Sequence, residues 1–177
     1  MRTWSVLFLL LGAWLGGSLL VGAAAAYNFG GLDDLFERNP KLAERAGFDP
    51  DQEAAKKTSL IWVHASELNR VMFERWNHMQ LVLGSLAIAL ALAVRARPLP
   101  MLLLLLTLAL AASAHFLVGE RLEELGRQLD FTPRTPPPAA LEPFQQFHGL
   151  YFALEAIRFG ALVAATLVLL FAASRRT

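Results

Sequence analysis

The chain has no cysteine. That excludes disulfides, thiolate metal sites and covalent haem attachment through paired cysteines, so any ligand set must come from histidine, methionine or carboxylates. Charge is also missing over long stretches. Residues 3–32, 76–94 and 98–119 carry none, and after Arg158 the next charged residue is Arg175. With 55% hydrophobic and only 18% charged residues, this is not the composition of an ordinary soluble domain. A membrane-spanning helix needs ~20 mostly apolar residues. The gaps therefore predict four spans, at about 4–27, 76–95, 99–119 and 148–173. The expected fold is all-α: an integral membrane four-helix bundle forming a single domain over residues 1–177.

Acidic residues are absent from one side of that layout. Arg2, Arg95, Arg97, Arg175 and Arg176 fall together, and no acid joins them. Every acidic residue except Glu155 lies in the opposite segments, 28–75 and 120–147. Basic residues flanking spans stay in the cytoplasm. Both termini and the 95–98 turn are thus expected to be cytoplasmic, with the two larger segments outside a bacterial inner membrane. The start of the chain ("MRTW", an apolar run, then "GAAAAY") also resembles a cleavable signal peptide. However, the uncharged run is too long for one, and it contains "GAWLG", a small-xxx-small motif. A retained helix is expected, with Gly12 and Gly16 as packing positions that would also allow a homo-oligomer.

Enzyme signatures are missing as well. There is no GxSxG, HExxH, P-loop or dinucleotide fingerprint. The reading leans against an enzyme, and the few basic residues suggest no nucleic-acid partner. The partners expected are the lipid bilayer and a protein docked on the outer side.

Helix one is expected to end near Tyr27 and Asn28, just before Gly30 and Gly31, followed by two short amphipathic turns broken by Pro40 and Gly47. Asp49-Pro50 reads as a helix start. A long helix should then run from about 50 to 95, with Ile61, Ala65, Leu68, Met72 and Trp76 on one stripe. Pro98 and Pro100 are expected to make the cytoplasmic turn. Leu122, Leu125 and Leu129 should extend helix three outward, and "TPRTPPPAALEP" should be an extended connection to helix four.

Polar groups in the spans are the candidates for function. His148, Tyr151, Glu155 and Arg158 follow helical spacing on the last span, so the stripe should face other helices, because charge in hydrocarbon is costly. Glu155 and Arg158 can pair at i,i+3. His78, His115 and His148 lie near the outer ends of three different spans, at one expected depth. Three imidazoles converging there would suit a transition metal or haem. In that reading the histidines are ligands, Glu155 a ligand or proton acceptor, and Arg158 a counter-charge. The competing reading is structural. The Glu155–Arg158 pair then only locks helix four, the histidines are tolerated at an interface, and the outer cap docks a partner. Asn77, Gln80, Ser18, Thr107 and Ser113 are expected to serve as interhelical hydrogen-bond groups.

Several segments together resemble one family. "LLLGAWLGGSLL", "ASELNRVMFERWNHMQLVLG", "HFLVGERLEELGRQL" and "FQQFHGLYFALEAIRFGALV" are similar to stretches of the domain-of-unknown-function 4149 family, small bacterial membrane proteins related to transmembrane-protein-205-like proteins. The resemblance implies a four-helix membrane fold with no established activity. It points to Gly16, Phe144 and His148, and, through a link of the eukaryotic relatives to platinum-drug tolerance, to metal or solute handling. This chain departs from the pattern with "AAYNF" after span one and with a long insertion over 30–58. The function expected is a polar pocket in the outer half of the bundle for a metal, haem or small solute, with a structural or accessory subunit as the alternative.

Overall fold

The structure is a computed structural model. It describes residues 2–39, 41, 44–45 and 60–175, with the backbone alone at 32, 33 and 35–37. Helix α1 covers Arg2–Arg38 and α2 covers Leu60–Ala93. Helix α3 (Pro98–Ser113) runs through a π-helical segment, Ala114–Gly119, into α4 (Glu120–Leu129). Helix α5 covers Leu141–Ser174. No strand occurs among the described residues. Four helices are long and apolar enough to cross a membrane when α3, the π segment and α4 are taken as one. At ~1.5 Å per residue, each exceeds the ~30 Å hydrocarbon thickness by ~20 Å.

Helix α1 does not stop before Gly30 and Gly31, as the sequence suggested. It continues to Arg38, so the first of the expected turns is part of it. Two helical glycines cost ~1 kcal/mol each, and contacts with the N-terminal half of α2 offset that cost. Phe29 packs on Trp62 with ring centroids 4.8 Å apart. Asn28 donates to Asn69, whose own amide donates to the Ala25 carbonyl at 3.2 Å. The expected helix start at 49–50 lies outside the described residues.

The turn between α2 and α3 is not made by the prolines either. Arg95 is left-handed, with φ 52°. Its N–H donates to Leu92 O, and the N–H of Ala96 donates to Ala91 O, both at 2.9 Å. This is a Schellman closure. Pro98 then opens α3, where a missing N–H costs nothing.

Helix α1 packs on α2 and α5, α2 packs on α3, and α3 packs on α5. Between them, toward the end that carries the Arg95 turn, lie Leu7, Leu11, Trp14, Ala87, Ala91, Leu104, Leu162, Ala165 and Leu169. The buried face of α2 is Ala65, Asn69, Asn77, Gln80, Gly84, Ala87 and Ala91. Leu68, expected on the packing stripe, is 48% exposed. Gly84 is where Trp14 fits: a Cβ there would lie 2.9 Å from both the indole and Leu108. Gly17 likewise receives the Trp76 ring. Gly12 and Gly16, the expected packing pair, are exposed, and a Cβ at either would meet nothing within 4 Å. The close approach falls one residue later, about 100° around the helix.

Candidate functional site

Among the described residues, Arg158 is the largest buried charged side chain, only 1% exposed. It reaches back one turn to Glu155. Its Nε donates to both carboxylate oxygens at 3.1 Å, and its Nη2 donates to one of them at 2.8 Å. The same Nη2 donates to Ser18 Oγ on α1 at 3.0 Å, and the Ser18 hydroxyl donates to Trp14 O at 2.9 Å. The guanidinium lies over the Trp14 ring, 5.9 Å from its centroid, within cation–π range. Nη1 has no partner.

Trp14 passes the connection to α2. Its indole N–H donates to Gln80 Oε1 at 3.3 Å, and Gln80 Nε2 donates to Asn77 Oδ1 at 3.3 Å. The Tyr151 hydroxyl donates to that same oxygen at 2.9 Å, which brings the chain back to α5. Tyr151 also meets Phe73 edge-on, with centroids 5.8 Å apart. Glu155, Arg158, Ser18, Trp14, Gln80, Asn77 and Tyr151 thus form one polar sequence through α1, α2 and α5. Helix α3 turns Thr107 back on its own Leu103 carbonyl at 2.8 Å. An unpaired charge at this depth would cost several kcal/mol or more. The carboxylate one turn away is what makes the guanidinium tolerable.

Two of the three candidate histidines meet. The rings of His78 and His115 are 4.6 Å apart at 67°. His78 Nδ1 donates to the Glu74 carbonyl at 2.8 Å. His115 sits in the π-helical segment, and such segments are frequent at functional sites. His148 does not join them. It is exposed and packs on Phe144, with centroids 5.8 Å apart. The reason is helical drift: ten residues before Arg158, it is rotated about 80° from it, at the rim of the buried face. Among the described residues, no group of three His, Cys, Asp or Glu could hold a metal ion. The predicted three-histidine centre is therefore corrected to a pair.

A second polar cluster lies beyond the first, between α2 and α4. Both Arg70 Nη atoms donate to Asp130 at 2.8 Å, and Nη1 also donates to Glu67 at 2.9 Å. Arg127 bridges Glu67, at 3.1 Å from each Nη, and Glu123, at 2.9 Å. Sequence reasoning missed this clamp, although Glu67/Arg70 and Glu123/Arg127 stand at i,i+3 and i,i+4. In the connection that follows, burial pushes Arg134 below the usual guanidinium range, with Asp130 pulling the other way.

No protein-family model matches the chain, and neither the curated proteins nor the solved structures provide a match.

Proposed function

We propose that this is a multi-pass protein of a bacterial inner membrane. In this reading it is a four-helix bundle with both ends and the α2–α3 turn in the cytoplasm, and it acts as a structural or accessory subunit. The buried polar sequence locks the helices, and the outer parts of α2 and α4 are free to dock a partner. One observation carries this reading: Arg158 is neutralised within its own helix and already engaged by α1 through Ser18 and Trp14. A metal or haem pocket is less favoured, because only two histidines meet. The layout also suits the domain-of-unknown-function 4149 family, which supplies no activity.

A second reading rests on Arg158 Nη1, a buried donor with no partner. There a small anionic or carbonyl-bearing solute would accept from it.

The two readings separate by double-mutant analysis in mild detergent. Arg158→Ala leaves Glu155 unpaired, and Glu155→Ala leaves Arg158 unpaired. Each is expected to cost ~3 kcal/mol, seen as a lower Tm, with the double variant recovering part of that loss. Additive losses would sink the locking role. A small molecule seen by native mass spectrometry in the purified protein, and lost in Arg158→Gln, would establish the solute reading instead.

A further inference from the structure

We propose that the notch between the α2–α3 turn and the last turns of α5 binds the phosphate of an anionic phospholipid headgroup. The notch has a volume of about 160 Å³ and is lined by Arg97, Val168, Phe171, Ala172 and Arg175. Arg97 is the N-cap residue of α3 and Arg175 the C-cap residue of α5. Two arginines far apart in sequence thus line one concavity. Among the described residues, no ion pair joins either one to an acid. The acids nearest in sequence are Glu74, Glu120 and Glu155, each at least ~30 Å away along a helix. Among the described residues, this cationic pair therefore has no internal counter-ion.

The chemistry of the lining selects the ligand. Guanidinium forks match phosphate oxygens. The remaining wall is apolar, and Phe171 is 65% exposed. A glycerol backbone and acyl chain would cover that wall, which a free phosphate would leave bare. Both arginines stand where apolar helices end, the depth at which headgroup phosphates lie. A zwitterionic headgroup would bring its own ammonium against two guanidiniums. The α5 carboxyl-terminal carbonyls oppose an anion, and Arg175 at their mouth offsets them. The inference rests on the chain spanning a membrane. It is independent of which side is cytoplasmic and of the role of Arg158.

The test is native mass spectrometry of the full-length protein in mild detergent, titrated with phosphatidylglycerol or phosphatidylcholine of equal acyl length. The wild type is compared with Arg97→Gln/Arg175→Gln and with Arg121→Gln, an exposed arginine at the opposite end. Phosphatidylglycerol is expected to bind about tenfold to thirtyfold more tightly. That preference should vanish in the double variant, persist in Arg121→Gln and withstand millimolar inorganic phosphate. Equal binding of the two lipids would overturn the proposal. So would a preference that survives in the double variant or is lost equally in Arg121→Gln. Displacement by inorganic phosphate would assign the notch to the free anion and overturn the lipid. Circular dichroism of the variants confirms that the helices are intact.

Discussion

One carboxamide oxygen, that of Asn77, accepts from both Gln80 and Tyr151. Asn77→Leu would strand two buried donors and is expected to cost ~1–3 kcal/mol for each, measured as a fall in Tm. Tyr151→Phe removes only one donor and leaves the oxygen bonded to Gln80. Its expected cost is ~1 kcal/mol, so the ratio of the two losses tests the shared acceptor. Gly84 offers a steric counterpart. Gly84→Val puts carbon where the Trp14 indole and the Leu108 methyl lie. It is expected to cost ~1–3 kcal/mol and to weaken the near-ultraviolet circular dichroism of the buried indole.

At the level of the element, α2 shows what the sequence could and could not reveal. Its apolar character was plain, as was that of the other three long helices. Its inward face was legible only in part: Ala65, Asn77 and Gln80 were expected to face other helices and are buried, but the apolar stripe also included Leu68, which is exposed, and passed over Asn69 and Gly84. In lipid, leucine gains nothing by facing another helix, so small and hydrogen-bonding residues mark the interface. The Glu155–Arg158 pair was legible from its spacing. The Trp14 link was not, since it depends on Gly84 from another helix. The same limit hid the Arg70–Asp130 bridge, which joins residues sixty positions apart. The α2–α3 turn carries its own prediction. Arg95 occupies a conformation that favours glycine, so Arg95→Gly is expected to raise stability by ~0.5–1 kcal/mol, seen as a higher Tm.

For the whole molecule, the proposed orientation is testable because the chain has no cysteine. Thr132→Cys, in the connection after α4, should react with a membrane-impermeant maleimide in intact spheroplasts. Ser174→Cys, at the end of α5, should react only after permeabilisation. The reverse pattern would invert the topology. Finally, α2 is joined to its neighbour at two places: by the Arg95 turn at its end, and by the Arg70–Asp130 bridge about three turns inside its start. A hairpin pinned twice is a strut. Its two limbs cannot scissor or slide without releasing a pin. Helices α1 and α5 are held against that strut by the lateral ties of Trp14 to Gln80 and of Tyr151 to Asn77.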